Sequence, residues 1–160
     1  MKDIRIIIHD VRSIYNVGAM FRTAEAAGVN DIFLSGYTPL PVDRFGRKRN
    51  DFSKSALGSE NTIKWEHKKN ISNLLMQLKE NGFTLIAIEQ WKKSINYKKV
   101  SKLLNKKNKI VFIVGNEVSG LQESILKKSD IVAEIPMMGK KESLNVSVAF
   151  GIALFRILNI

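Results

Sequence analysis

Three loops rich in polar side chains contain the residues with which this sequence could carry out chemistry. They run from His9 to Gly18, from Gly115 to Leu121 and from Pro136 to Val146, and each follows an apolar run of strand length. Ligands bind to open α/β sheets beyond the carboxyl ends of the strands, so each loop is a candidate binding site. Their amide, guanidinium, carboxylate and hydroxyl groups suit the orientation of a polar substrate. Their spacing identifies no Ser-His-Asp arrangement and no catalytic pair of carboxylates.

The first loop leads into a helical pattern that carries Asn16 and Arg22. Asn16 stands where a helix cap is expected. Three of the four residues one turn away from Arg22 are glycine or alanine, which leaves room for another molecule to approach the guanidinium. The alternative is a surface pair between Arg22 and Glu25, which would contribute little stability. Spacing alone favours this alternative.

The second loop begins with Gly115-Asn116-Glu117. A glycine at its start allows the backbone to approach a ligand closely. Ser119 and Gln122 fit a capping box at the start of a following helix. The chain contains neither a GxGxxG dinucleotide fingerprint nor a GxxxxGK[ST] phosphate loop. An ordinary connection between a strand and a helix would have a similar composition.

The third loop contains Met137 and Met138 between a proline and a glycine. Two flexible thioether side chains at such a place could line an adaptable apolar pocket. Ser143 and Asn145 precede the last apolar run of the chain, where either could simply cap a helix. Each loop is weak evidence when it is considered alone.

Length and composition exclude several classes of protein. The chain has 160 residues, 44% of them hydrophobic and 26% charged, which predicts one globular domain over residues 1–160. The absence of cysteine excludes disulfides, thiolate zinc sites, iron–sulfur clusters and a cysteine nucleophile. Two histidines, His9 and His67, are too few for a histidine-built metal site. The longest apolar stretch, Val146 to Leu158, is too short to span a bilayer, and the N-terminus lacks a signal-peptide pattern, so we expect a cytoplasmic protein.

The chain is strongly basic, with 26 Lys and Arg against 15 Asp and Glu and a formal net charge of +11. This charge is typical of nucleic-acid binders, although a general bias in the amino-acid composition of the source organism would also produce it. Asp43–Lys54 is rich in arginine and includes Phe45 and Phe52, and both kinds of side chain can stack on unpaired bases. The predicted RNA contacts in this segment are Arg44, Arg47, Lys48 and Arg49. Lys92–Lys109 contains eight lysines and no acidic residue, which predicts either a solvated face or a further phosphate contact.

Strand-length and helix-length patterns alternate along the chain. Five runs of β-branched and aromatic residues predict the strands Ile4–Ile8, Asp31–Ser35, Phe83–Ile88, Ile110–Val114 and Ile131–Ile135. Apolar residues at helical spacing predict helices around Val17–Ala24 and Ile71–Leu78. The alternation predicts an α/β fold with a mostly parallel sheet flanked by helices.

The last helical pattern is apolar on two sides. One stripe comprises Val146, Ala149, Phe150, Ala153, Leu154 and Ile157. The second stripe comprises Val148, Ile152 and Phe155. A helix with two apolar faces must be buried twice, which favours a subunit interface over a fully internal helix.

Together and in this order, the three loops resemble the motifs of the SpoU (TrmH-like) family of RNA ribose 2′-O-methyltransferases, a part of the SPOUT superfamily. The matching residues are Asn16-Val-Gly-Ala-Met-Phe-Arg22, Ile113-Val-Gly115-Asn116-Glu117-Val-Ser-Gly120-Leu121, and Ile135-Pro-Met-Met-Gly139 with Glu142-Ser143-Leu144-Asn145-Val-Ser147-Val-Ala149. The match spans residues 16 to 150, without a departure at the key polar positions. The arginine-rich segment Asp43–Lys54 lies outside the general pattern of the family.

The resemblance implies the SPOUT fold, in which a parallel sheet is flanked by helices and the C-terminal chain forms a trefoil knot. It implies S-adenosylmethionine as the methyl donor, held mainly by backbone groups of the knotted loops. The residues that it assigns to donor binding are Ile88, Gly115, Asn116, Ile135, Met137 and Leu144. It also implies a homodimer with the last helix at the interface.

The resemblance further assigns residues to the acceptor. Arg22 would act at the ribose 2′-hydroxyl, by hydrogen bonding to it or to the adjacent phosphate, because a guanidinium stays protonated. Asn16 and Glu117 would fix Arg22 and the ribose. Ser143 and Asn145 would complete the acceptor pocket.

Short members of the family are often transfer-RNA enzymes, so the resemblance favours tRNA over rRNA as the substrate. Two alternatives stay open. One is a knotted methyltransferase that acts on a base, and the other is a catalytically silent RNA-binding or assembly factor. A nucleotide hydrolase is disfavoured, because the sequence shows no phosphate loop and no cluster of metal-binding carboxylates.

Overall fold

The computed structural model describes residues 2–104 and 107–160. The strands are β1 Asp3–His9, β2 Asp31–Ser35, β3 Lys64–Lys68, β4 Thr84–Ile88, β5 Ile95–Asn96, β6 Lys109–Val114 and β7 Ile131–Glu134. The helices are α1 Ile14–Ala26, α2 Asn50–Ala56, α3 Ile71–Glu80, α4 Tyr97–Leu103, α5 Glu123–Lys128 and α6 Val146–Leu158, with a 3-10 turn at Ser59–Asn61. The strands form one sheet in the order β3-β2-β1-β6-β4-β7-β5, and every pair of neighbours is parallel. The predicted α/β fold is confirmed.

The middle of the sheet is buried on both faces, which explains why its strands are almost continuously apolar. Ile6, Ile7 and Ile8 of β1 are fully buried, as are the central residues of β6. Ile7 packs with residues of α3 and α5 on one face of the sheet. Ile6 packs with residues of α1, α2, α4 and α6 on the other face.

The five predicted strands are confirmed as β1, β2, β4, β6 and β7, with ends that differ by no more than one residue. The sequence pattern did not identify β3 and β5. The residues of β3 are Lys-Trp-Glu-His-Lys, all of them half-buried or exposed, and among the described strands β3 pairs with β2 alone. An edge strand needs little apolar side chain, so it lacks the pattern of a buried strand. The two residues of β5 are too few to form a pattern.

Tight helix packing on one side of the sheet holds the first loop in place. Gly18 of α1 is buried against α2, where an added Cβ would lie 2.9 Å from the Phe52 carbonyl oxygen. The rings of Phe21 and Phe52 meet edge to face with centroids 5.1 Å apart. Gly18, one of the small neighbours of Arg22, therefore makes room for α2 rather than for an external ligand.

The sheet order brings the predicted site loops together. Strand β6 lies between β1 and β4, and β7 is the next neighbour of β4. Because all four strands are parallel, the loops that follow them leave the same edge of the sheet side by side.

Helix α6 is buried on one face only within this chain. Phe150, Ala153, Leu154 and Ile157 are buried, as the first apolar stripe predicts. In the second stripe Val148 is 49% exposed, Ile152 39% and Phe155 36%. The second apolar face is therefore open in the single chain. Among the residues that the structure describes, no helix is both long enough and apolar enough to cross a membrane.

Candidate functional site

The Glu117 carboxylate joins the second loop to the first. Oε1 accepts hydrogen bonds from the backbone N–H of Ser13 and from the Asn16 side-chain amide, both at 3.0 Å. Oε2 accepts a bond from the backbone N–H of Arg12 at 2.9 Å. Burial raises the pKa of Glu117, but these three donors outweigh burial, so the pKa lies below its ordinary value. Glu117 therefore remains an ionised acceptor that organises the first loop.

Asn145 joins the third loop to the same residue of the first. Its Nδ2 donates to the Asn16 Oδ1 at 3.1 Å. Its Oδ1 accepts from the backbone N–H groups of Ser147 and Val148 at 2.9 and 3.4 Å, which makes Asn145 the N-cap of α6. The Asn16 amide is therefore held from both sides, by Glu117 and by Asn145.

Two predicted helix caps are wrong. The N-cap of α1 is Ser13, whose hydroxyl accepts from the Asn16 backbone N–H at 3.3 Å, so Asn16 lies inside the first turn. Helix α5 begins at Glu123, and its N-cap Gln122 makes no side-chain capping bond. Ser119 lies four residues before α5 and is not its cap, and its backbone N–H donates to the Asn116 side chain within the loop.

The buried Asn116 side chain shapes the turn that presents Glu117. Its Oδ1 accepts from the backbone N–H groups of Val118 and Ser119, both at 2.8 Å. Its Nδ2 donates to the Asp10 carbonyl oxygen at 3.0 Å and to the Tyr37 hydroxyl at 2.6 Å. No sequence pattern points to Tyr37, because the contact depends on the pairing of β1 with β2 and β6.

A cavity of about 310 Å³ opens between the loops that follow β4, β6 and β7. All the residues predicted to bind a methyl donor line it: Ile88, Gly115, Asn116, Ile135, Met137 and Leu144. Glu117 and Ser143 from the predicted acceptor site line it as well. Residues predicted for the donor and for the acceptor therefore share one cavity.

Three polar side chains of the cavity were not among the predicted site residues: Glu89, Gln90 and Glu142, although Glu142 belongs to the third matching motif. The Glu89 Oε2 accepts from the Leu121 backbone N–H at 3.1 Å, and the Gln90 side chain donates to the Glu142 carbonyl oxygen at 2.6 Å. These bonds connect the loop after β4 to the loops after β6 and β7. The sequence does carry a signal for Glu89 and Gln90, since both directly follow the predicted strand Phe83–Ile88.

Arg22 lies outside this hydrogen-bond network as far as the described residues show. It is exposed on α1, six residues after Asn16. Six helical residues correspond to a rise of about 9 Å and to faces about 120° apart. The structure therefore brings Asn16, Glu117 and Asn145 together, with Ser143 nearby on the cavity wall, and leaves Arg22 on another side of the helix.

The arginine-rich segment forms an ordered turn. Asp43 accepts from the backbone N–H groups of Phe45 and Arg47 at 2.8 and 3.0 Å and from the Arg47 Nε at 2.8 Å. These bonds and the nearby positive charge of Arg49 hold the pKa of the Asp43 carboxyl below its ordinary value, despite some desolvation. Phe45 is 66% exposed, and the guanidinium carbons of Arg44 and Arg47 lie 4.7 and 5.1 Å from its ring centre. Lys48 donates to the Asn61 side chain at 2.9 Å, whereas Arg49 pairs with Asp51 at 2.9 Å.

The lysine-rich segment Lys92–Lys109 is divided between two edges of the sheet. Lys92 and Lys93 follow β4 at the edge that carries the cavity. Lys109 begins β6 at the opposite edge and donates to the Asn81 carbonyl oxygen at 3.0 Å. Lys106 lies outside the described residues. The segment therefore does not form one continuous surface with the site.

Comparison with known proteins confirms the family resemblance. Residues 3–155 match the model of the SpoU rRNA Methylase family. The chain belongs to this family.

Two relatives and one solved structure that share most of this chain are themselves longer. The chain is 34% identical over 152 residues to an uncharacterized tRNA/rRNA methyltransferase, MG252, of Mycoplasma genitalium, covering 94% of this chain and 58% of that protein. It is 32% identical over 154 residues to the tRNA (guanosine(18)-2′-O)-methyltransferase of Aquifex aeolicus, covering 96% and 68%. The AdoMet-bound rRNA methyltransferase from Sinorhizobium meliloti superposes with a TM-score of 0.86 at 26% identity, over 99% of this chain and 57% of that one. The chain thus spans little more than half the length of some of its relatives.

Proposed function

We propose that this chain transfers a methyl group from S-adenosylmethionine to a ribose 2′-hydroxyl of RNA, acting in the cytoplasm as a single domain. The observation that carries the proposal is the Asn16 amide, held between Asn145 and the Glu117 carboxylate, which lines the 310 Å³ cavity. Three motifs that are far apart in sequence thereby contribute to one site. Family membership supports the same reaction class.

The cavity fits the proposed methyl donor. Its volume of about 310 Å³ lies within the range of small-molecule sites. Ile88, Ile135 and Leu144 supply apolar walls for an adenine ring, and the turn at Gly115 supplies backbone groups. The Sinorhizobium neighbour was solved with AdoMet bound. When bound, S-adenosylmethionine would supply a methyl group already activated on a sulfonium.

The residues of the chain would position the ribose 2′-hydroxyl that accepts the methyl group, rather than activate it strongly. Asn16 uses one N–H for Glu117, and Asn145 uses one N–H for Asn16, so each amide has a second N–H with which to orient a ribose. Fixing two reactants in line can supply up to about 7–11 kcal/mol of barrier reduction. Glu117 accepts three hydrogen bonds and is a positioning group, not the acceptor of the 2′-hydroxyl proton.

We assign Arg22 to a site that two copies of the chain complete. The residue after Arg22 is Thr23, which faces Gly151 of α6. A Cβ added to Gly151 would lie 3.5 Å from the Thr23 methyl group, so α1 and α6 are in close contact. Arg22 is therefore near the open apolar face of α6 formed by Val148, Ile152 and Phe155. A homodimer formed through that face would bring Arg22 toward the partner, where it would hydrogen bond to the 2′-hydroxyl or the adjacent phosphate.

The C-terminal trefoil knot is proposed from the order of the strands. Strand β7 lies between β4 and β5, so the connection from β4 to β5 must pass over it. Glu89 and Gln90 of that connection bind the loops after β6 and β7. This arrangement supports a chain that threads beneath residues 89–94 before it enters α6.

RNA would bind along the arginine-rich turn. The turn presents Phe45 with two guanidinium groups near its ring, and the Asp43 contacts hold the turn in shape. Guanidinium and aromatic planes suit unpaired bases, and the positive charge suits phosphates. We favour tRNA over rRNA, and the Aquifex relative is described as a tRNA enzyme.

The test is methyl transfer from labelled S-adenosylmethionine to purified tRNA and to rRNA fragments. We expect label in tRNA, in linkages that resist alkali, since only ribose 2′-O-methylation blocks that cleavage. Label in alkali-sensitive nucleotides would establish base methylation instead. RNA binding without donor binding, measured by calorimetry, would establish the silent RNA-binding factor. Arg22→Ala should abolish transfer without weakening donor affinity, and retained turnover would remove Arg22 from the reaction.

A further inference from the structure

The donor cavity is acidic although the chain is strongly basic. Three carboxylate side chains, those of Glu89, Glu117 and Glu142, line the cavity, and no lysine or arginine of the described chain lines it. The formal net charge of the whole chain is +11. The local charge of the cavity is thus opposite to that of the molecule, which favours a cationic occupant.

The three carboxylates differ in the hydrogen bonds that they accept and in their exposure to solvent, and therefore in how strongly they can attract a bound cation. Glu117 accepts three hydrogen bonds and serves the first loop. Glu142 is exposed, so solvent screens its charge. Glu89 is half-buried, and among the described residues each of its oxygens accepts one backbone N–H, from Gln90 at 2.8 Å and from Leu121 at 3.1 Å.

Glu89 is also held in place at the cavity. Its two backbone donors come from different loops, one after β4 and one after β6. A carboxylate oxygen has two lone pairs, so each oxygen retains acceptor capacity. A fixed, half-buried charge is screened less than an exposed one and acts more strongly on a nearby cation.

We infer that Glu89 makes the cavity selective for the sulfonium donor over its thioether product. The inference rests on the proposed function. The two ligands share the adenosine and amino-acid groups and differ by one methyl group and the positive charge on sulfur. A carboxylate on the cavity wall would attract the positive charge of the donor's sulfur, and it gives no such advantage to the product. Glu89 thus promotes exchange of spent product for fresh donor.

The test is calorimetric titration of S-adenosylmethionine and of S-adenosylhomocysteine into the wild-type protein and into Glu89→Gln. Glutamine can replace only part of the hydrogen bonding, so both affinities should fall somewhat. We expect the donor affinity to fall about three- to ten-fold more than the product affinity, the range set by one carboxylate–cation contact in a half-buried site. Glu89→Asp, which keeps the charge, should retain most of the wild-type preference. Glu66→Gln, at a carboxylate of the edge strand β3, should leave the preference unchanged.

An equal loss of affinity for both ligands in Glu89→Gln would show that Glu89 only connects two loops by hydrogen bonds. This result would overturn the inference and leave the proposed function intact. A wild-type protein that binds neither ligand would overturn the proposed function, and this inference with it. If the Glu89→Gln variant does not fold, the two affinities of the wild-type protein decide. The donor should bind more tightly than the product, and equal affinities would overturn the inference.

Discussion

The Asn16 Nδ2 donates to the Glu117 Oε1 at 3.0 Å, across 101 residues of sequence. This contact fastens the start of α1 to the turn that follows β6. The same carboxylate holds the backbone of Arg12 and Ser13. One ionised side chain therefore sets the shape of the loop that presents Asn16 to the proposed ribose.

Replacing Glu117 with Gln should destabilise the fold and lower activity. A glutamine amide has one acceptor oxygen, so backbone donors of the first loop lose their partner at a cost of about 1–3 kcal/mol. Urea unfolding measures the loss of stability, and single-turnover transfer measures activity. Glu123→Gln removes an exposed carboxylate paired with Lys127 at 3.3 Å and should change stability by less than about 0.5 kcal/mol. Equal effects of the two changes would contradict the role of Glu117.

The stability of the protein should fall as the pH falls below about 6.5, in part because of His9. Burial lowers the pKa of His9 below its ordinary value, and the nearby Asp10 carboxylate offsets this only in part. In the window between the two pKa values the unfolded chain binds the proton and the folded chain does not. The contribution of neutral His9 to the stability of the folded protein is therefore complete above the ordinary pKa of histidine. It is lost as the pH falls through the lower pKa that His9 has in the folded protein.

Urea midpoints measured between pH 5 and pH 8 test this expectation. His9→Gln lowers stability overall, because the ring bonds to the Ser35 hydroxyl at 2.9 Å, but it should flatten the pH dependence in this window. The low pKa of Glu117 acts in the same direction below its ordinary value near 4.5, in a separate and more acidic window. An unchanged slope in His9→Gln would assign the pH dependence to other groups.

Changes in the arginine-rich turn should separate phosphate contacts from stacking. Arg44→Ala should weaken RNA binding and reduce the slope of log affinity against log salt by about one for each phosphate that Arg44 neutralises. Phe45→Ala should weaken binding by about 1–3 kcal/mol with little change of that slope. Filter binding over a salt series measures both quantities. The same slope in wild type and Arg44→Ala would place the phosphate contacts elsewhere.

Gly120→Ala should destabilise the cavity loops. Gly120 has a φ of +65°, and an added Cβ would press against the Glu89 carboxylate. The strained backbone and the contact together should cost about 1–3 kcal/mol. Gly139→Ala is the control, because an added Cβ there meets nothing within 4 Å. Thermal unfolding of the two variants gives the comparison, and equal midpoints would contradict the packing of Gly120 on Glu89.

Ile152→Glu should disrupt the proposed homodimer, because it places a charge in the open apolar face of α6. The side chain is 39% exposed in the single chain, so the monomer should still fold. Sedimentation measures the oligomeric state, and transfer activity should fall with dimer content if the partner supplies Arg22. A monomeric wild-type protein with full activity would contradict both proposals.

Elements with a local signal were predictable from the residues. Ile4–Ile8 and Ile110–Val114 were found because strands buried on both faces must be almost wholly apolar. The edge strand β3 and the two-residue β5 lack that signal, so only their pairing reveals them. The caps at Asn16 and Ser119 were misplaced because several neighbouring residues could cap, whereas in the folded chain α1 begins after Ser13 and α5 begins after Gln122.

The residue pattern alone was sufficient to predict the family, the α/β class and most of the side chains that meet at the site. It did not show that Asn16 is held between Glu117 and Asn145, that Tyr37 binds Asn116, or that Glu89 completes the cavity, all of which follow from the folded chain. The physical reason is the difference in sequence separation between the interactions that form helices and strands and those that form the site. Side-chain periodicity is set by the geometry of one helix or strand, whereas these contacts join residues up to 129 positions apart and exist only after β6 inserts between β1 and β4.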